Sequence, residues 1–148
     1  MDFEADVSSS CVPVRKRTRA RELALQMLYV LDQRGADFAD QIDGLIDRGD
    51  PDVQVRIFAR GVVKGAIENR ERIDKQITDV AENWDLHRMA VVDRNVLRLA
   101  CYEILFLDDI PPKVSINEAI ELAKKFSTIE SGSFVNGILD KINQQLGR

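Results

Sequence analysis

Apolar residues recur at intervals of three and four along almost the whole chain, the spacing that keeps one face of an α-helix dry. Between Arg17 and Gln33 the residues Ala20, Leu23, Ala24, Met27, Val30 and Leu31 project to one side at 100° per residue. The opposite side is polar. If this helix reaches back to Arg15, then Arg15, Arg19, Glu22, Gln26, Tyr29 and Gln33 form a stripe of their own, with two cations and an aromatic ring.

Punctuation between periodic stretches predicts the remaining elements. Asp37 caps a short helix carrying Phe38, Ile42, Leu45 and Ile46, and Gly49 ends it. Asp50 caps a third helix with Pro51 at its first position, where a missing N–H costs nothing. The series Phe58, Val62, Ile73, Ile77, Val80 and Trp84 makes that helix long, and Gly61 and Gly65 within it either admit a close neighbour or mark a bend. After a short turn, Val92 to Phe106 is apolar nearly all round and is the central buried helix. Asp108, Asp109, Pro111 and Pro112 break the chain, and Ser115-Ile-Asn-Glu118 has the form of a capping box that starts the next helix. A last helix begins near Ser133. The fold class is all-α.

Composition changes this picture in one respect. The 148 residues carry a formal net charge of -4, yet five of the seven from Arg15 to Arg21 are basic: Arg15, Lys16, Arg17, Arg19 and Arg21. Set those five aside and the rest of the chain carries -9. Such segregation describes either a solvated face or a patch that admits a polyanion which the remaining surface repels. Residues 1–14 are acidic and serine-containing, lack the apolar centre of a secretory signal, and read as a disordered tail. No apolar stretch is long enough to span a bilayer. Cys11 and Cys101 have no framework spacing and read as free thiols, and the single His87 has no ligand-spaced partner, so no metal or cofactor is expected.

The same inventory leaves catalysis few candidates. There is no phosphate-binding glycine loop, paired-cysteine site or histidine-based nucleophile, and Asp93, Glu103, Glu118 and Glu121 each have a capping or ion-pairing explanation at helical spacing. The chain is expected not to be an enzyme. The first-helix stripe is the better site, since unpaired RNA is held by cations along its phosphates and by aromatic faces that stack its bases. Tyr29 fits that role, or else that of a half-buried edge residue with its hydroxyl in water.

Four segments in order carry a resemblance: Arg19-Ala-Arg-Glu-Leu-Ala-Leu-Gln-Met-Leu-Tyr29, Val92 to Leu105, Ile110-Pro-Pro-Lys-Val-Ser-Ile-Asn-Glu-Ala-Ile-Glu-Leu-Ala-Lys-Lys-Phe126, and Phe134-Val-Asn-Gly-Ile-Leu-Asp-Lys-Ile142. Together they resemble the NusB family of bacterial transcription antitermination factors across residues 15–145. The resemblance implies two roughly perpendicular helical bundles sharing a core, assigned here to residues 15–83 and 84–148. It implies a cytoplasmic protein that binds single-stranded boxA RNA of ribosomal RNA operon leaders with NusE, a ribosomal small-subunit protein, alongside other Nus factors and RNA polymerase. Carried over to this sequence, it assigns RNA binding to Arg15, Lys16, Arg17, Arg19, Arg21, Tyr29 and Phe134. It gives Glu130 a modulating place beside the RNA and Asp93 a contact with NusE. Ser131-Gly132-Ser133 stands where relatives often place a basic residue, which would weaken that side of the site. The competing reading is a helical protein-interaction module that homodimerises through the first-helix surface.

Overall fold

A computed structural model describes residues 12–147. Among them lie seven α-helices: α1 (Val14–Arg34), α2 (Ala39–Gly49), α3 (Val53–Glu68), α4 (Arg70–Val80), α5 (Val91–Phe106), α6 (Pro112–Phe126) and α7 (Ile129–Leu146). Single 3₁₀ turns at Ala36–Phe38 and Leu86–Arg88 complete the path, and no strand occurs among the described residues. No described helix is long and apolar enough to cross a membrane. The all-α expectation holds.

Several boundaries differ from the sequence reading, each for a local reason. The stretch assigned to a disordered tail ends early: Val12 is buried at 2% exposure, and its carbonyl accepts the Arg17 Nε–H at 2.7 Å. The rest of that tail, with Cys11, lies outside the described residues. Asp52, not Asp50, caps α3, its carboxylate accepting the Gln54 N–H, so Pro51 lies before the helix and not at its first position. The long third helix is two helices. Asn69 closes α3 by donating both its backbone N–H and its side-chain amide to the Gly65 carbonyl, while its own carbonyl accepts from Ile73 to start α4. An asparagine amide competes with the backbone in this way, and the apolar period runs across the junction undisturbed. Gly65 does admit a close neighbour, since a Cβ there would run into the Tyr102 ring, whereas Gly61 faces open space.

The capping box is also corrected. α6 starts at Pro112, a turn before Ser115, because proline is already set for the first helical position. Ser115 and Glu118 are thereby released to face inward: the Ser115 hydroxyl donates to Glu103 at 2.8 Å, and Glu118 accepts from Thr18 at 2.6 Å and Arg21 at 3.0 Å. α7 begins at Ile129, a turn before Ser133, because Thr128 caps it by accepting the Ser131 N–H at 3.1 Å.

α5 is the axis of the molecule, packed by α1, α3, α4, α6 and α7, with Val96, Leu97, Leu99, Ala100, Cys101 and Ile104 all buried. Burial pushes the Cys101 thiol up to about 12, which makes it an inert core residue. Charge enters this core around Glu103 and, a second instance, where α1 meets α5. In the second, Asp32 accepts from Arg94, Asn95 and Arg98, and Arg98 reaches on to Asp74. Burial pushes the Asp32 carboxyl up, but hydrogen bonds from Arg94 and Asn95 and the charges of Arg94 and Arg98 outweigh it and hold the group at about 2. A carboxyl depressed on folding contributes stability above its unfolded value, near 3.8, and loses it as pH falls through about 2. Denaturant titrations from pH 5 down to pH 2 are therefore expected to show a loss of stability that is shallower in Asp32→Asn; equal slopes would remove Asp32 from the acid response.

Candidate nucleic-acid interface

At 100° per residue the basic run of α1 cannot share one face, and the structure divides it. Arg15 is exposed and carries no ion pair among the described residues. Lys16 Nζ donates to Gln54 at 2.7 Å and meets Asp52 at 2.9 Å, and Arg17 is tied to the Val12 carbonyl. Arg19 Nη2 lies 2.6 and 2.7 Å from the two oxygens of Asp50. The hydrogen bond from Lys16 holds the Asp52 carboxyl below the usual carboxylate range.

Arg21 is a correction to the site. It turns inward, 2% exposed, with Nε and Nη2 each donating at 2.8 Å to one oxygen of the buried Glu103 and Nη1 donating to Glu118. Burial alone would lower its pKa, but the two carboxylates raise it. No phosphate reaches that guanidinium without opening the core. The cationic surface is therefore Arg15, Lys16, Arg17 and Arg19.

Farther along the same helix, Glu22, Gln26 and Tyr29 continue the polar stripe, and Tyr29 is 42% exposed. Glu22 accepts Lys125 Nζ at 2.8 Å, which brings the end of α6 alongside α1. Lys125 also sits over the ring of Phe126, itself an exposed aromatic. α7 starts three residues later, so Ile129 and Glu130 stand at the same corner, both exposed.

Beyond that corner lies an open cleft of about 410 Å³, lined by Trp84, Arg88, Asp93, Glu130, Ser131 and Phe134 among others. Trp84 is 54% exposed and meets Phe134 edge to face, their centroids 5.2 Å apart. A second cleft, of about 310 Å³, borders the other side of these two rings. Asp93 is almost buried. Its Oδ2 accepts the Ser131 hydroxyl at 3.0 Å, and its Oδ1 has no hydrogen-bond partner among the described residues. Asp93, Glu130 and Phe134, which the resemblance divided between a protein contact and an RNA contact, thus share one cleft.

The Ser131-Gly132-Ser133 departure is narrower than it looked. Ser131 is buried against Asp93 and Thr128, and Gly132 packs against Lys124 and Ile120, so Ser133 alone of the three is exposed. Sequence reasoning missed Trp84, which continues the apolar series of the third helix, and Phe126, which lies at the end of an apolar helical face. It missed the pairing of the basic run with Asp50 and Asp52, whose signal was only their acidity. Among the described residues no group of three or more His, Cys, Asp or Glu could hold a metal ion.

The sequence from residue 18 to residue 144 matches the model of the NusB family. A transcription antitermination protein NusB of Desulfatibacillum aliphaticivorans is 46% identical over 133 residues, covering 90% of this chain and 93% of its own. The fold is similar to that of T. maritima NusB, with a TM-score of 0.77 at 39% identity, covering 90% of this chain and 93% of the other. It is also similar to a chain in a crystal structure of the antitermination factors NusB and NusE in complex with double-stranded RNA, with a TM-score of 0.81 at 28% identity and coverage of 90% and 99%. By sequence and by fold, the chain belongs to the NusB family.

Proposed function

We propose that this protein is a cytoplasmic antitermination factor that binds single-stranded boxA RNA of ribosomal RNA operon leaders together with NusE, and so joins other Nus factors and RNA polymerase. The observation that supports this most is the division of labour along α1. Exposed cations occupy its first two turns and an exposed tyrosine stands on the same polar stripe roughly 20 Å on, at 1.5 Å per residue. Phosphates are gripped at one end and a base stacks at the other.

Phe134 supplies a further aromatic edge beside the RNA path, and in its cleft the carboxylates of Glu130 and Asp93 outnumber the one cation, Arg88. An acidic cleft repels phosphate but suits a basic ribosomal protein, so NusE is assigned to the Asp93 side and RNA to α1, with Glu130 between them. That arrangement makes NusE binding help RNA binding by covering charges that would oppose it.

The test is titration of labelled boxA and of a scrambled strand, with and without NusE, at two salt concentrations. With Arg21 withdrawn, three or four phosphates are neutralised, and log affinity is expected to fall against log salt with a slope of about -2 to -3, at roughly -0.7 per phosphate on single strands. A flat response, or equal affinity for the scrambled strand, would sink this reading.

A further inference from the structure

Two of the four surface cations in the first two turns of α1 are already occupied. Arg19 meets both oxygens of Asp50, and Lys16 meets Asp52, although the pairs lie at the rim with the Arg19 side chain 50% and the Lys16 side chain 34% exposed. The carboxylates are far less free than the cations. Asp50 accepts the Asp52 N–H at 2.9 Å, Asp52 accepts the Gln54 N–H at 2.8 Å, and Arg56 holds the Asp50 carbonyl at 2.8 Å. The turn between α2 and α3 thus presents two fixed anions to two long, mobile cations.

We propose that Asp50 and Asp52 are built-in stand-ins for phosphate, which keep the grip of α1 on polyanions weak by competing for Lys16 and Arg19. This rests on the reading of α1 as a phosphate-binding surface. A strand arriving at α1 finds Arg15 without a carboxylate partner among the described residues, but it gains from Lys16 and Arg19 only what remains after displacing or sharing Asp52 and Asp50. Solvent-exposed ion pairs are weak, so the competitors can be displaced, and their fixed placement ensures that displacement always costs something. A protein that must find one leader sequence among abundant RNA is thereby kept from being held by every other strand. The acidity of this turn thereby acquires a role.

Asparagine separates charge from structure at both positions, because its side-chain oxygen still accepts the Asp52 and Gln54 N–H groups. The experiment compares wild type, Asp50→Asn, Asp52→Asn and the double variant, with Glu71→Gln/Asp140→Asn on α4 and α7 as a control of equal charge change. Probes are inorganic polyphosphate, poly-U and boxA RNA, each at several salt concentrations. Each single variant is expected to bind polyphosphate and poly-U about three- to fivefold tighter. On poly-U, where Asp50 and Asp52 leave Lys16 and Arg19 unengaged in the wild type, the double variant should also steepen the salt slope by up to about 1.4, toward the value given above for boxA, as two released cations imply at about 0.7 each. The control should show neither change. Unchanged or weaker polyphosphate binding in the double variant, or an equal gain in the control, overturns the proposal. The polyphosphate arm judges the competitors by themselves, whereas failure of wild type to prefer boxA over poly-U would overturn the RNA reading instead.

Discussion

Arg21→Ala is expected to destabilise the fold by about 3–5 kcal/mol, the range for breaking a buried ion pair by removing one partner. Glu103 is 1% exposed, and its two oxygens receive the Arg21 fork and the Ser115 hydroxyl. Without the guanidinium the carboxylate keeps one neutral donor in a site closed to water. Glu118 loses a partner too, and so does the ring of Phe58, over which the guanidinium lies 5.5 Å from the centroid. Urea titration measures the loss. Replacing the whole pair by apolar residues, as in Arg21→Met/Glu103→Leu, should cost much less, since no charge is then stranded. The same variants bear on function: RNA affinity per folded Arg21→Met/Glu103→Leu molecule should match wild type. A drop comparable to that for charge reversal at Arg15 would return Arg21 to the RNA surface and contradict its placement in the core.

Loss of the Tyr29 ring is expected to weaken boxA binding by about 1–3 kcal/mol, the range for one stacked base, with little change in stability. The ring is 42% exposed, so its truncation opens no cavity in the core. Tyr29→Phe should retain most of the affinity because stacking needs the π-face and not the hydroxyl. Fluorescence anisotropy with labelled boxA measures both variants. If Tyr29→Ala binds as wild type does, or if its melting transition moves as much as its affinity, the ring is a packing residue and the cations act without it.

Much of this was legible before any coordinate. The three-and-four spacing located every helix except that it ran α3 and α4 together, because burying an apolar face is a demand each segment makes by itself. The exception, at Asn69, escaped because the period continues in phase across the junction and a side-chain hydrogen bond, not an apolar position, divides α3 from α4. The capping box misled for a related reason. Ser115 and Glu118 have the right spacing to cap, but Pro112 starts the helix first, and the two polar groups are then taken up by Arg21 and Glu103 from other helices.

For the site, sequence alone determined which residue types were present: a basic run, a tyrosine on its polar stripe, a late phenylalanine, and no set of groups fit for catalysis. Only the tertiary structure decided which of those cations face water. Arg21 is buried by a glutamate 82 positions away, and Arg19 is half neutralised by an aspartate 31 positions away. Periodicity is a property of one helix and can be read along it. The partner of a charge is a property of how helices pack, and no spacing within α1 specifies what α2, α5 or α6 will bring to its side.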